Sequence, residues 1–186
     1  TYLVTPHNYV FLNGAYETKA PFFENAYLSP RTRQDVQDNL RNERIATAEA
    51  GYVLIAPTVK LRVTGYYTRF RHQTDIMTFY DDFTRSFANL ALSNIGKEHY
   101  GTEIGTEVIV YKGLSINAAA AIGRYRYDTR QDAVLTEDNS SDILLKETVY
   151  AKNYYVAAPQ QAYNVGFFYR SPHFWYVSAN FNYFDV

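Results

Sequence analysis

The chain has 186 residues, and its 18 Lys and Arg against 19 Asp and Glu leave a formal charge of -1, which removes the cationic footprint of a nucleic-acid binder. It has no Cys, which excludes disulfides, thiolate nucleophiles and cysteine metal sites, and no run of about 18 apolar residues, which excludes a transmembrane helix. Nineteen Tyr and 12 Phe make it 17% aromatic, and a ring that carries a hydroxyl suits a surface half apolar and half wet, such as the rim of a bilayer.

The amino end lacks the charged, apolar and small-residue succession of a signal peptide. The chain starts at Thr1 without Met and stops at Val186 within an aromatic strand end, so it is expected to be an excerpt of a longer protein. From Gly51 onward the residues alternate with period two, and no apolar stripe at helical spacing is sustained, which predicts an all-β, antiparallel architecture.

Residues 46–55 and 59–70 flank Ala56-Pro57-Thr58, whose Pro cannot donate to a ladder and marks the turn of a first hairpin. Residues 71–94 read as a long polar loop. Within it Asp75, Phe79, Tyr80, Asp81 and Asp82 form an acidic, aromatic cluster, and Tyr80, Asp81 and Asp82 are candidate ligand contacts beside the plainer expectation of a solvated loop. His72 and His99 are expected near strand ends, as interfacial side chains.

In residues 100–111, Tyr100, Thr102, Ile104, Thr106, Val108 and Val110 alternate with Gly101, Glu103, Gly105 and Glu107. After the turn at Lys112-Gly113, Leu114, Ile116, Ala118, Ala120 and Ile122 alternate with Ser115, Asn117, Ala119, Ala121 and Gly123, completing a second hairpin. One face would meet lipid and the other water. Gly101, Gly105, Ala119, Ala121, Gly123 and Gly166 are expected to leave room on the inner face for something packed inside a barrel.

Residues 127–150 read as another long polar loop. Its segment 137–142 carries enough oxygen ligands for calcium but lacks the Gly and terminal Glu of an EF-hand, so solvated carboxylates are expected. Tyr163, Val165, Phe167 and Tyr169 alternate with Ala162, Asn164, Gly166 and Phe168. Beyond the turn at 170–173, Trp175, Val177, Ala179, Phe181 and Tyr183 alternate with Tyr176, Ser178, Asn180 and Asn182, a third hairpin. Glu103, Glu107, Asn117, Asn164, Tyr176, Asn180 and Asn182 are thus expected to face the lumen.

Short turns on one rim, long loops on the other and strands of ten residues or more are the build of an outer-membrane barrel. Tyr66, Tyr67, Tyr125, Tyr127, Trp175 and Tyr183 read as interface girdle, with sugar stacking open to inward members. His7, His72, His99 and His173 have no partners at metal-ligand or catalytic spacing, so no metal, cofactor or enzymatic activity is expected. Arg31 and Arg33 are expected to pair with carboxylates or water, with an anion as the sharper alternative.

The patches Asn25-Ala26-Tyr27-Leu28-Ser29-Pro30-Arg31-Thr32-Arg33, Asn42-Glu43-Arg44, Glu49-Ala50-Gly51-Tyr52 and Leu61-Arg62-Val63-Thr64-Gly65-Tyr66-Tyr67 resemble the barrel of TonB-dependent receptors. Asn94-Ile95-Gly96-Lys97, Tyr100-Gly101-Thr102-Glu103 and the stretch from Tyr169-Arg170-Ser171-Pro172 to Asn182-Tyr183-Phe184 do so too, in the order of the later part of such a barrel. The resemblance implies that residues 1–186 are a partial barrel domain, roughly a third of a 22-stranded transmembrane barrel of the Gram-negative outer membrane, without its plug, first strands and last strand. It further implies energised uptake of a scarce nutrient (siderophore, cobalamin, glycan or peptide). The implied partners are the lipid bilayer, the TonB system acting through the plug, and the nutrient ligand; whether a surface lipoprotein caps the barrel as a lid is left open by the sequence. A passive porin or structural barrel, and a soluble carbohydrate-binding β module, are the alternatives.

Overall fold

The structure is a computed structural model describing residues 1–138, 140 and 142–185. It is all-β: the described residues form ten strands in one antiparallel sheet, with a single 3-10 turn at Phe23–Ala26. The strands are β1 (Tyr2–Thr5), β2 (Asn8–Lys19), β3 (Glu43–Ile55), β4 (Val59–Asp81), β5 (Ser86–Tyr111), β6 (Leu114–Tyr127), β7 (Gln131–Glu137), β8 (Ile143–Val149), β9 (Gln161–Arg170) and β10 (Tyr176–Asp185). Eight of them form the meander β1-β2-β3-β4-β5-β6-β9-β10, while β7 and β8 continue from the far half of β5. The turns at Pro6-His7, 56–58, 112–113 and 171–175 share one rim, and the long connections share the other.

The three hairpins expected from the alternation are present. Val63 lies opposite Ile104, Ile104 opposite Ala120, Ala120 opposite Tyr163 and Tyr163 opposite Tyr183, so the register carries one residue class straight across five strands. The connection between β5 and β6 turns on Gly113, whose φ of 81° is one that L side chains avoid.

Two expectations are overturned. Residues 71–94 are not a loop: β4 and β5 run on past the shared sheet to a turn at residues 82–85, and this extension pairs Tyr80 with Phe87 and Asp75 with Leu92. Bulges mark where it departs, with His72 (φ 58°) and Asn94 (φ 54°) in the left-handed region, so His72 and His99 lie inside strands and not at their ends. Likewise residues 127–150 contain the hairpin β7–β8, docked on β5 from Ala88 to Ser93. Polar residues on both surfaces erase the hydrophobic alternation by which a strand is recognised.

Nor does the sequence pattern from Gly51 onward cover β1 and β2. Val10, Leu12, Gly14 and Tyr16 alternate there with Phe11, Asn13, Ala15 and Glu17, and β2 pairs with β3 from Asn8 to Lys19. Among the described residues the buried hydrophobic side chains are only Ala88, Ala91, Ile95 and Ala133, all on β5 or β7, Ile95 between the two bulges and the others beyond them. The meander itself has no covered core.

Candidate functional site: two unlike faces and the assembly above them

All seven residues expected to face a lumen lie on one face of the sheet, as the register requires. Glu107 is opposite Asn117, Asn117 opposite Gly166 and Gly166 opposite Asn180; Asn164 is opposite Asn182; Glu103 and Tyr176 stand at even spacing on the same side. This face is polar and cross-linked. Lys60 Nζ reaches Glu107 Oε2 at 3.1 Å, Asn117 Nδ2 donates to Asn164 at 3.3 Å, and Asn164 Nδ2 donates to Asn182 at 2.8 Å. The Tyr176 ring stacks on Phe168 at 6.0 Å.

A trough of about 320 Å³ opens on the polar face, lined among others by Arg62, Thr64, Glu103, Gly105, Ala119 and Asn164. At Gly105 an added Cβ would meet nothing within 4 Å. The other small residues do not all leave room, which corrects that part of the sequence expectation. The Tyr125 ring lies 2.8–2.9 Å from where a Cβ of Gly123 would stand, and side chains of Asn117 and Asn180 fill the place above Gly166. These glycines seat neighbouring side chains. Tyr66 and Tyr125, expected at an interface girdle, are on this polar face with their hydroxyls 2.7 Å apart, whereas Tyr67 and Tyr183 are on the opposite one.

The opposite face is apolar. From the row Val10, Tyr52, Val63, Ile104, Ala120, Tyr163, Tyr183 to the row Leu114, Tyr169, Val177, its strands present no charged side chain. Val165 stays 52% and Phe181 69% exposed, so none of the described residues covers it. At the long-loop rim the character changes abruptly: Tyr67, Tyr100 and Arg124 form one row, Tyr16, Ala46, Arg69, Glu98 and Arg126 the next, and Arg44 and Arg71 follow.

Above that rim, the connection between β2 and β3 is fastened to the extended strands by a buried polar knot. Asp138 accepts from Asn89 Nδ2 at 2.6 Å, Ser29 Oγ at 3.0 Å and Arg31 at 2.5 Å, while Thr32 Oγ1 donates to its carbonyl at 2.6 Å. Burial alone would raise the Asp138 pKa, but the hydrogen bonds from Asn89, Ser29 and Arg31 and the Arg31 charge outweigh it and hold the group below its ordinary value. Asp138 is therefore not a solvated carboxylate. Its neighbours Asn139 and Ser141, part of the calcium expectation, lie outside the described residues. Arg31 and Arg33 pair with carboxylates as expected, Arg33 with Asp35 at 2.9 Å.

Beside the knot is a polar cavity of about 540 Å³, bounded among others by Asn39, Arg41, His72, Thr74, Asp132 and Lys146. The His72 pKa is lowered by burial and by the nearby Arg41 and Arg44 charges, so the ring is neutral at physiological pH. Neither the cavity nor the knot was visible in the sequence, since Asp138 lies 107 residues from Arg31 and 49 from Asn89. Tyr80, Asp81 and Asp82 are elsewhere, at the tip of the β4–β5 extension. Asp81 there accepts from the Phe83 amide at 3.0 Å and the Thr84 hydroxyl at 3.1 Å, and Tyr80 sits edge-on to Phe87 at 5.4 Å. The structure thus gives Asp81 a turn to close and Tyr80 a ring to pack on.

Compared with known protein families, with curated proteins and with solved structures, the chain matches none.

Proposed function

We propose that this chain forms part of the wall of an outer-membrane β-barrel of the TonB-dependent receptor kind, whose activity is energised uptake of a nutrient. The observation that carries the proposal is the uncovered apolar face backed by a hydrogen-bonded polar one. From Tyr100 to Val110, ten steps of about 3.3 Å give about 33 Å along the strand, or about 25 Å along the normal at a tilt of about 40°. That is the height of the lipid-facing band of a bacterial barrel. In water such a face would be an aggregation surface, because a soluble sheet must bury one side against a second layer.

In this reading the Tyr-rich rows mark the membrane interfaces, the short turns face the periplasm and the β4–β5 extension with its docked loop stands outside the cell. β10 presents an unpaired edge from Tyr176 to Asp185, which a barrel closes with a further strand. The trough around Gly105 gives a plug a place to pack, and the resemblance through Asn25 to Arg33 and Leu61 to Tyr67 supports the receptor kind over a passive pore.

The test has two steps. Reconstituted into phosphatidylcholine vesicles, the protein should stay with the lipid after alkaline carbonate washing; release into the supernatant would overturn the barrel reading. In cells, uptake of the cognate nutrient should cease when an uncoupler collapses the proton gradient, and uptake that survives uncoupling would make the barrel a passive pore.

A further inference from the structure

The apolar face is asymmetric along the strands. At its short-turn end the rows hold Leu54, Leu61, Val59, Val108, Val110, Leu114 and Tyr169, without a charge, whereas the long-loop end carries Arg124 in the row of Tyr67 and Tyr100, Arg69 and Arg126 in the row of Tyr16, and Arg44 and Arg71 beyond them. Five guanidinium groups on one side of a sheet, carried by β3, β4 and β6, require an explanation. The carboxylates among them are Glu98, 2.7 Å from Arg126, and Asp128, 3.1 Å from Arg69 and 3.2 Å from Arg71. That leaves a surplus of three positive charges. Arg44 and Arg124, at the two flanks, are exposed and have no ion pair among the described residues.

We infer that this arginine belt docks the phosphate groups of an anionic lipid in the leaflet at the long-loop rim, its acyl chains lying on the apolar rows below. The inference rests on the barrel reading given above. Guanidinium is the side chain that grips phosphate with paired N–H donors while tolerating an apolar setting, and the rows place headgroup and chain contacts one above the other. Arg126 also lies 5.7 Å from the Tyr100 ring, so the belt is continuous with the aromatic row on which acyl chains begin.

Arg44 and Arg124 make the cleanest probe, because their replacement breaks no ion pair. The full-length protein, in maltoside micelles, is titrated with a bis-phosphorylated lipid, and bound lipid is counted by native mass spectrometry; phosphatidylcholine and inorganic phosphate serve as comparison ligands. Wild type should retain the anionic lipid in preference to phosphatidylcholine. The double variant Arg44→Gln/Arg124→Gln should bind it tenfold or more weakly, at about fivefold per arginine near an anionic surface. Arg62→Gln, on the polar face, should leave retention unchanged. Equal retention by wild type and double variant would overturn the inference, as would full competition by millimolar inorganic phosphate, which would make the belt a free-anion site. Carbonate extraction of the wild type keeps the two claims apart: a protein that remains in vesicles yet shows no lipid preference fails the belt alone, and one that washes off fails the barrel as well.

Discussion

Two neighbouring alanines of β6 separate the faces sharply. Ala120 lies between Ile104 and Tyr163 near the middle of the apolar band, and Ala119 lies between Gly105 and Asn164 at the trough. An arginine at Ala120 would have to hold its charge in hydrocarbon, at a cost of about 2–4 kcal/mol at the midplane. That is a loss of about 30-fold to about 700-fold in the folding equilibrium. At Ala119 the trough of about 320 Å³ and the nearby Glu103 can take the side chain, so Ala119→Arg should stay within about 0.5 kcal/mol of wild type. Guanidinium unfolding in phosphatidylcholine vesicles, followed through the single Trp175, reads both variants. Equal costs, or a larger cost at Ala119 than at Ala120, would refute the assignment of faces.

Asp138→Ala should loosen the loop between β2 and β3 by about 1–3 kcal/mol, the cost of stranding buried donors, and raise hydrogen exchange at the Leu28 and Gln37 amides, which now bond Asp35 and Ala26. Because the folded pKa of Asp138 is depressed, its contribution is complete above the ordinary carboxylate value of about 4 and is lost as pH falls through the lower folded value, so the protection factors of these amides should be flat from pH 8 to 5. His72 has the same sense at a higher pH: its folded pKa is also lowered, so the stability around it is complete above about 6.5 and declines as pH drops toward the folded value, and His72→Gln should abolish that decline in the protection of nearby amides measured at pH 7 and 5.5. Gly113→Ala should lower the unfolding free energy by about 1 kcal/mol or more, since φ is 81° and a Cβ would press on the Arg170 carbonyl, while Gly105→Ala should be nearly silent.

What could be read in advance was whatever alternation exposes. Tyr100 to Val110 and Leu114 to Ile122 announce their strands and their faces, and the seven polar residues from Glu103 to Asn182 follow from the same rhythm. The β4–β5 extension escaped because Asp75 to Asp81 mixes polar and apolar side chains on both sides, and β2 because Tyr9 to Leu12 is apolar on both. Tyr66 and Tyr67 are adjacent and chemically alike, yet one bonds Tyr125 on the polar face and the other points opposite; only register separates them. The Asp138 knot needed contacts made across more than a hundred residues of chain, so a carboxylate in a charged run looked solvated when it is buried.

The most direct test of the two-faced wall uses the natural absence of cysteine. Single cysteines placed at each position of β6 from Ser115 to Ile122, spin-labelled in vesicles, should alternate: labels at Ser115, Asn117, Ala119 and Ala121 quenched by an aqueous nickel chelate, and labels at Ile116, Ala118, Ala120 and Ile122 quenched by lipid-dissolved oxygen. Uniform access to the nickel chelate along the strand would contradict the account.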